Sequence, residues 1–434
     1  MTDRTGHRPR LLFISPVMPA QTGNGLAMRA GLFLEALAED HEVSLLVVTI
    51  SGPSDPDAVP DFVSRRAARV VVLPTAGRVD THYGLIARVK DSTERARAML
   101  AYPRPLLCRF ATTSAIREAA ERMPDAFDVV HVLRLYMAPF AGPFLSRGDD
   151  RAHAQAVLDL DDDEPRTRRR LSTLHAWWNQ ADAAAIEAGE AEKYESFERE
   201  WARRFDRVLV CSSADRAAVG ARLAGALVDV APNAVRIPDP APFVRDEDEL
   251  RLLLVGSFGY FPNEDAAVFF GREIWPRIVS AVCGRARAWI VGSRPGPAVL
   301  RLGRTPGITV TGEVPSVTPY YGQADAAVNP IRAGGGTRIK AIEAFAHGVP
   351  LVSTTIGVEG LDAEAGRHVL VADAADEFAQ ACLRLARDRG LRAKLVAEAR
   401  SLYREQYAFP KVVDRIRSVY RSLGTRGAGV DADG

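Results

Sequence analysis

The fold is decided by residues 329–350, which read NPIRAGGGTRIKAIEAFAHGVP. The pattern predicts a strand end, a triple-glycine loop, a helix, a glycine stop and another strand. Glycines let backbone N–H groups approach a phosphate closely, and the N-terminus of the following helix adds its positive end. Arg338 and Lys340 supply full charges, and Glu343 lies about two turns from the loop, within reach of a ribose diol. The stretch favours nucleotide-diphosphate binding over a flexible turn before an ordinary amphipathic helix.

Apolar strands alternate with helical patterns on both sides of this stretch. In the first half of the chain we expect strands at residues 11–14, 43–50, 70–73, 128–132, 156–160 and 207–211. In the second half we expect them at residues 252–255, 288–291, 308–311, 326–328 and 351–353. Such alternation is typical of parallel sheets covered by helices on both faces, and its restart after the proline-rich segment 232–250 predicts a second doubly wound domain. Because ligands bind at the carboxyl ends of parallel strands, two such domains would form a cleft between them.

The composition excludes several classes of protein. The chain has 434 residues, and its 56 Lys and Arg balance 55 Asp and Glu to a net charge of +1. This balance argues against a broad basic face for nucleic acid or an anionic membrane. The four cysteines lie far apart, so we expect neither a disulfide framework nor a structural zinc site, which fits a cytoplasmic location. No run reaches the roughly 18 apolar residues that a membrane span needs.

Residues 329–350 resemble the donor-binding signature of the retaining GT-B glycosyltransferases of family 4, also called glycosyl transferases group 1. A subgroup of these sugar transferases carries the same Gly-Gly-Gly-Thr-Arg-x-Lys loop. Four neighbouring stretches are similar to the family as well: Pro232–Val235, Val255–Asn263, Ala288–Ser293 and Val310–Pro315. The resemblance implies an α/β fold of GT-B type, in which two Rossmann-like doubly wound domains face a central cleft. It also implies sugar transfer with retention of anomeric configuration and without a metal.

The same resemblance divides the chain. It implies an N-terminal acceptor-binding Rossmann-like domain at residues 1–232, a linker at 233–250 and a C-terminal nucleotide-sugar-binding domain at 251–407. Residues 408–424 are expected to form a C-terminal helix that packs back toward the N-terminal domain. Residues 425–434 are expected to be a frayed tail, because they are rich in Gly and Asp.

Within the donor domain this sequence matches the family pattern at some positions and departs from it at others. Many members carry Glu-x7-Glu, whose first Glu contacts the donor sugar and whose second contacts the ribose; here the second is Glu343 and the first position is Gly335. An Arg and a Lys usually follow the first strand, whereas residues 260–265 hold no cation. We therefore expect Arg338 and Lys340 to hold the diphosphate. The other expected donor contacts are Gly256, Ser257, Val314, Gly334, Gly335, Gly336 and Thr337.

Two other nucleotide-binding motifs do not fit this sequence. Residues 329–350 are not a P-loop, because the Lys-Ser/Thr ending is absent at the required offset. The loop with Gly23, Asn24 and Gly25 follows the first strand, but Met28 stands where a dinucleotide fingerprint needs its third glycine. The resemblance instead implies a loop over the donor phosphates and the acceptor, and the alternative is a tight turn. Arg29, one turn into the next helix, is expected to face the cleft.

Residues 128–134 resemble the family strand that often ends in His-x-His. Only His131 is present, because Leu133 occupies the second histidine position and Arg134 follows it. The predicted catalytic set is Arg338, Lys340, Arg134 and His131, although a histidine within a strand is often a core residue.

The acidic cluster at residues 159–164 leaves three interpretations open. It could bind Mn²⁺ or Mg²⁺, form a solvated loop with the arginines that follow, or contact the acceptor through Asp159 and Asp161. We expect no metal, because metal-binding Asp-x-Asp belongs to a glycosyltransferase fold that usually has one nucleotide-binding domain.

The sequence thus predicts a cytoplasmic, bacterial hexosyl- or related transferase that uses a nucleotide-sugar as co-substrate and no other cofactor. The acceptor, whether glycan, lipid-linked or small molecule, and the oligomeric state are left open, as is peripheral membrane association. Nucleic acid is not expected as a partner. The alternatives are a nucleotide-sugar-binding protein with impaired catalysis and a GT-B sugar-nucleotide epimerase.

Overall fold

The computed structural model describes residues 8–50, 59–75, 77–145, 154–236, 249–336 and 338–423. Within these residues the chain divides into two compact units. The first unit takes the chain up to Asn233 and again from Val412, and the second unit takes Ala234–Lys411. Most of the predicted linker and the predicted tail at 425–434 lie outside the described residues.

The first unit contains a seven-stranded parallel sheet in the order β3-β2-β1-β4-β5-β6-β7. Its strands are β1 Arg10–Ser15, β2 Glu42–Thr49, β3 Ala67–Pro74, β4 Val129–Leu133, β5 Gln155–Asp159, β6 Arg207–Val210 and β7 Val228–Val230. The inner strands are continuous apolar runs, as expected where helices cover both faces. In β1, the side chains of residues 11–14 are completely buried.

Helices connect these strands. They are α1 Gly25–Ala38, α2 Asp61–Ser64, α3 Thr81–Ile86, α4 Ser92–Ala101, α5 Thr113–Arg122, α6 Ala138–Leu145, α7 Glu164–Trp177, α8 Ala181–Ala202 and α9 Ser213–Arg222. Short polar side chains cap the N-termini of several of these helices. The Asn24 side chain accepts from the backbone N–H of Leu26, and Ser212 accepts from that of Asp215.

The second unit contains a six-stranded parallel sheet in the order β10-β9-β8-β11-β12-β13. Its strands are β8 Leu250–Val255, β9 Ala286–Val291, β10 Ile308–Gly312, β11 Ala326–Asn329, β12 Leu351–Ser353 and β13 Leu370–Val371. Because β8 lies between β9 and β11, the loops that follow these three strands are neighbours at one edge of the sheet.

The helices of the second unit are α10 Phe261–Phe269, α11 Trp275–Ala281, α12 Pro297–Leu302, α13 Thr318–Tyr321, α14 Ile339–His347, α15 Thr355–Val358, α16 Ala375–Arg387 and α17 Arg389–Leu402. A π-helical segment, Phe270–Ile274, joins α10 to α11. The helix α14 ends at His347 and is capped by Gly348, whose φ of 69° is left-handed and favours glycine over other residues.

The last helix of the described residues, α18 Phe409–Leu423, follows Tyr403–Tyr407, a second π-helical segment. From Val412 onward it belongs to the first unit. Arg417 donates to both carboxylate oxygens of Asp40 at 2.8 and 2.7 Å, and the hydroxyl of Tyr420 lies 2.6 Å from Nδ1 of His131.

The predicted α/β class with two Rossmann-like parallel sheets is confirmed. The short strands β7 and β13 were not predicted. The sequence placed β3 at residues 70–73, whereas the strand begins at Ala67. Among the described residues no helix is both long and apolar enough to cross a membrane.

Candidate functional site

The glycine loop lies between β11 and α14, at the carboxyl end of the second sheet. Gly334 has a φ of 111° and Gly336 a φ of 70°, both in the region that side chains with a Cβ rarely adopt. The hydroxyl of Tyr260, from the loop after β8, would lie 3.4 Å from a Cβ at position 334. Thr337, an expected donor contact, lies outside the described residues.

Arg338 shapes this loop from within. Its guanidinium donates to the carbonyl oxygens of Gly335 at 2.8 Å, Gly334 at 3.1 Å and Ile356 at 2.8 Å. The side chain is buried and lies 3.8 Å from a carboxylate oxygen of Glu359. Because three of its donors serve backbone carbonyls, Arg338 fixes the path of the loop in this structure, and direct contact with a diphosphate stays a prediction.

Lys340 lies in the first turn of α14 and is half-buried. Its Nζ donates to the side-chain oxygen of Asn263, whose amide nitrogen donates to the carbonyl oxygen of Ser257 at 2.8 Å. Burial and the neighbouring charge of Arg338 lower the pKa of Lys340 to about 8, against a smaller opposing effect of Glu343. The ammonium group of Lys340 thus donates to an uncharged amide, that of Asn263, and not to a carboxylate.

Glu343 follows Lys340 by three residues, so both side chains lie on the same face of α14. The hydroxyl of Tyr321 lies 3.4 Å from its Oε2, and the Tyr321 ring stacks on His347 with 4.4 Å between centroids. Burial raises the pKa of Glu343 to about 7, while Tyr321 and Lys340 act in the opposite direction. The predicted ribose carboxylate and phosphate cation thus share one face of one helix.

Sequence reasoning did not identify the ion pair beneath the loop. Arg332, just before the glycines, donates to both oxygens of the completely buried Asp265 at 2.9 and 2.5 Å. Arg332 also lies over the Phe269 ring, 4.5 Å from its centroid. The pair fastens the glycine loop to α10. The sequence signal for this pair was an aspartate within the largely apolar stretch 261–269, because a buried carboxylate needs a charged partner.

The loop after β8 approaches the loop after β9 very closely. A Cβ at Gly292, whose φ is 148°, would lie 1.7 Å from the carbonyl oxygen of Gly256, so only glycine fits at this position. The hydroxyl of Ser257 accepts from that of Ser293 at 3.2 Å. The expected donor contacts Gly256 and Ser257 therefore lie at the same sheet edge as Lys340. Val314, two residues beyond β10, is half-buried.

In the first unit, the predicted phosphate or acceptor loop lies at the start of α1. Gly23 has a φ of 98° and is exposed, and the side chain of Asn24 caps α1 by accepting from Leu26 at 2.8 Å. Gly25 is the first residue of the helix. A tight turn at Gly23 and a helix cap at Asn24 are enough to explain this loop. A role over donor phosphates or an acceptor stays a prediction.

Arg29 and Asp159 form a completely buried pair. The guanidinium donates to both oxygens of Asp159 at 2.7 Å, and its third nitrogen donates to the carbonyl oxygen of Ala231 and the side chain of Asn233, both at 3.0 Å. Arg29 was expected to face the cleft, but its side chain has no solvent exposure. In this structure the carboxylate of Asp159 contacts an arginine of its own unit rather than solvent.

Arg134 follows β4 in a strained conformation with a φ of 76°. It makes ion pairs with Asp161 at 2.9 Å and Glu164 at 3.2 Å, and Asp161 itself has a φ of 58°. Burial and the charge of Glu164 raise the pKa of Asp162 to about 7. Arg134 thus pairs with Asp161 and Glu164, whereas Asp162 is held closer to its protonated form. In the part of the chain that is described, no group of three His, Cys, Asp or Glu side chains is arranged to hold a metal ion.

His131 is a core residue in this structure. It is completely buried, stacks on Phe33 at 4.8 Å and meets the hydroxyl of Tyr420 at Nδ1. Burial, with the nearby charge of Arg29, lowers the pKa of His131 to about 3, so the ring is neutral near neutral pH. This placement favours the structural interpretation that the sequence left open, and the catalytic role stays an unsupported prediction.

Comparison with protein families gives one match. Residues 249–388 match the family described as "Glycosyl transferases group 1". This segment contains the glycine loop, Lys340 and Glu343. A comparison with curated proteins gave no match to the chain.

Solved structures share the whole architecture at low sequence identity. Sucrose-phosphate synthase from Thermosynechococcus elongatus is 16% identical over 96% of this chain and 99% of its own, with a TM-score of 0.65. HepE from Anabaena, in complex with UDP and glucose, is 12% identical over 96% and 100%, with a TM-score of 0.60. A TarM mutant from S. aureus, in complex with Fondaparinux, alpha-GlcNAc-glycerol and UDP, is 11% identical over 96% and 99%, with a TM-score of 0.64. The chain therefore has the GT-B fold.

Proposed function

We propose that this protein is a glycosyltransferase that moves a sugar from a nucleotide-sugar donor to an acceptor hydroxyl, with retention of configuration and without a metal. The family match over residues 249–388 and the GT-B fold support nucleotide-sugar transfer. Retention and metal independence rest on the resemblance of the glycine loop to family 4. A hexosyl or related donor sugar and a cytoplasmic location are part of the same proposal.

The observation that carries the proposal is the pairing of Lys340 with Glu343 on one face of α14, directly after the glycine loop. A nucleoside diphosphate needs a cation for its phosphates and an acceptor group for its ribose hydroxyls, and this face offers both. Lys340 is held by the neutral Asn263 rather than by a carboxylate. Exchanging an amide oxygen for a phosphate oxygen would strengthen its hydrogen bond, because the phosphate is charged.

The proposed chemistry exchanges one C–O bond for another and transfers one proton. The acceptor oxygen bonds to the anomeric carbon as the bond from that carbon to the phosphate oxygen breaks. The proton of the acceptor hydroxyl passes to the departing phosphate oxygen on the same face of the sugar. Negative charge builds up on the diphosphate during this step, and a preorganised Lys340 stabilises that charge. The mechanism requires no histidine, which agrees with the buried position of His131.

The first experiment is a thermal-shift screen against UDP-, GDP- and dTDP-sugars, beginning with UDP-sugars because two similar structures hold UDP. We expect one nucleotide class to raise the melting temperature, since a ligand that binds only the folded chain stabilises it. The bound donor is then incubated with the protein in the absence of acceptor. Slow release of free sugar supports a transferase, and a melting temperature unchanged by every donor contradicts the proposal.

Two measurements test the finer parts of the proposal. Activity that survives EDTA supports metal independence, and activity restored only by added Mn²⁺ or Mg²⁺ contradicts it. Proton NMR of the first product reports whether the anomeric configuration of the donor is retained or inverted.

The binding-protein alternative keeps one specific observation in its favour. Gly335 stands at the position where many family members carry the glutamate that contacts the donor sugar. A chain that binds a nucleotide-sugar yet neither hydrolyses nor transfers it would be such a binder. Conversion of the donor to its epimer without acceptor would instead identify an epimerase.

A further inference from the structure

Arg294, in the second unit, combines an unusual backbone conformation with an exposed side chain. It is the third residue after β9 and has a φ of 52°, in the left-handed region that side chains other than Gly, Asn and Asp seldom adopt. Its side chain is exposed. A strained, exposed arginine at the carboxyl end of a parallel strand is a candidate for a role in binding.

The side chain of Arg294 folds over the loop that follows β8. A Cβ at Gly259 would lie 3.2 Å from Nε and 3.5 Å from Cζ of Arg294, so the guanidinium rests on the backbone there. The Nη2 atom donates to the hydroxyl of Ser257 at 3.4 Å, a weak hydrogen bond. Arg294 thus has both a left-handed backbone and a guanidinium that lies across Ser257–Gly259.

The other arginines near the glycine loop are occupied. Arg332 gives two hydrogen bonds to the carboxylate of Asp265, and Arg338 gives three to backbone carbonyls. Arg294, by contrast, makes no ion pair with a carboxylate within the described ranges. Within those ranges its guanidinium donates to the neutral hydroxyl of Ser257, which does not offset its positive charge.

Arg294 and Lys340 approach the same short segment from two sides. Arg294 comes from the loop after β9 and contacts Ser257 through its hydroxyl. Lys340 comes from α14 and reaches the carbonyl oxygen of Ser257 through the side chain of Asn263. Tyr260, next to Gly259, extends toward Gly334 of the glycine loop. Both cations are thus linked to the loop after β8, Arg294 directly and Lys340 through Asn263, and Tyr260 of that loop lies beside the glycine loop.

We infer that Arg294 is the second diphosphate-binding cation of the donor site, acting together with Lys340 on the phosphates of a nucleoside diphosphate sugar. The inference rests on the proposed function. It accounts for the absence of Arg and Lys at residues 260–265, because the charge comes from the neighbouring strand end instead. On binding, the guanidinium exchanges its weak bond to Ser257 for charged phosphate oxygens.

The test is a calorimetric titration of wild type and Arg294→Asn with the nucleoside diphosphate that the thermal-shift screen selects, and with its monophosphate. Asn tolerates the left-handed backbone at this position, and Arg294→Gly provides a second neutral variant that fits it still better. We expect the neutral variants to bind the diphosphate about 10-fold to 100-fold more weakly, since a charged hydrogen bond is lost. Affinity for the monophosphate is expected to fall much less, and Arg294→Lys is expected to restore part of the loss.

Arg304→Asn, at an exposed arginine beyond α12, is the matched control and should bind both nucleotides as wild type does. Unchanged diphosphate affinity in folded Arg294→Asn and Arg294→Gly overturns the inference and leaves the proposed function standing. An equal loss for monophosphate and diphosphate also overturns it, because the effect is then not on the added phosphate. A wild-type chain that binds none of the nucleotides overturns both proposals.

Discussion

Lys340 is the residue on which the proposed transfer step depends most. It is half-buried, its partner Asn263 is uncharged, and burial holds its pKa at about 8. Its charge is therefore available to the diphosphate as the leaving group develops. Glu343, on the same face, lies 3.4 Å from the hydroxyl of Tyr321 and is suited to the ribose.

We predict that Lys340→Ala lowers kcat by about 100-fold or more, because a preorganised charge that acts on the transition state is lost. Lys340→Arg keeps the charge and is the matched variant, with partial activity expected. Steady-state kinetics with the identified donor measures both. A Lys340→Ala enzyme with the kcat of wild type would remove Lys340 from the mechanism.

Glu343→Ala should behave differently. We expect it mainly to raise the donor KM, by about 10-fold, because a ribose contact contributes to binding in both the ground state and the transition state. Tyr321→Phe, which removes only the hydroxyl facing Glu343, is the control for indirect effects through that carboxylate. A loss confined to kcat with an unchanged KM would contradict the assigned contact.

The pH dependence of kcat/KM follows from the same two groups. Lys340 is charged below a pKa of about 8, and Glu343 is ionised above a pKa of about 7. We therefore expect kcat/KM to rise with pH through about 7 and to fall through about 8, since this parameter reports the free enzyme. In Lys340→Arg the alkaline decline should move to higher pH, because arginine keeps its proton. An alkaline decline that stays in place would assign it to another group.

At the scale of elements, the donor site depends on how closely β8 and β9 end beside each other. Gly292 has no room for a side chain, because a Cβ there would overlap the carbonyl oxygen of Gly256. The two loops would have to separate, and Ser257 and the bond between Asn263 and Lys340 would move with them.

We predict that Gly292→Ala lowers the melting temperature and weakens donor binding together. The control is Gly284→Ala, which also has a left-handed φ, of 82°, but has open space around its Cβ position. That control should cost only about 1 kcal/mol from backbone strain, and Gly292→Ala clearly more. Equal melting temperatures and equal donor affinities in the two variants would contradict the steric account.

The sequence predicted the long elements better than the short ones. Continuous apolar runs such as residues 11–14 and 252–254 are unfavourable in water, and their short length between turn residues indicates buried strands. The strand β13 has two residues and β7 has three, which is too short for any period to appear. Their pairing depends on neighbours that are distant in the chain.

The site residues show the same difference between local and distant contacts. Lys340 and Glu343 could be predicted because they share one helix, whose geometry fixes their spacing. The ion pairs of Arg332 with Asp265 and of Arg29 with Asp159 join residues 67 and 130 positions apart. Only the folded chain shows that these arginines are already neutralised, and hence that the charge left for a ligand lies elsewhere.

At the scale of the whole molecule, α18 belongs to the first unit from Val412 onward. Tyr420 meets the buried ring of His131, and Arg417 pairs with Asp40. This arrangement gives His131 a structural role. Its neutral ring, with a pKa of about 3, resists protonation while the unit is folded.

We predict that Tyr420→Phe destabilises the protein by about 1–3 kcal/mol, because Nδ1 of His131 is left buried without its partner. Thermal unfolding measures the change, and donor affinity should stay that of wild type. Tyr83→Phe, at a half-buried tyrosine of the same unit, is the control and should have a small effect. A stable Tyr420→Phe variant with reduced turnover would return His131 to the catalytic set.

The central claim is that the glycine loop and α14 bind the diphosphate and ribose of an activated sugar. The most direct measurement is a crystal structure with the nucleoside diphosphate that the thermal-shift screen selects. The account predicts phosphate oxygens within about 3.2 Å of Nζ of Lys340, and a ribose hydroxyl on the carboxylate of Glu343. A nucleotide bound elsewhere, with Lys340 still on Asn263, would contradict it.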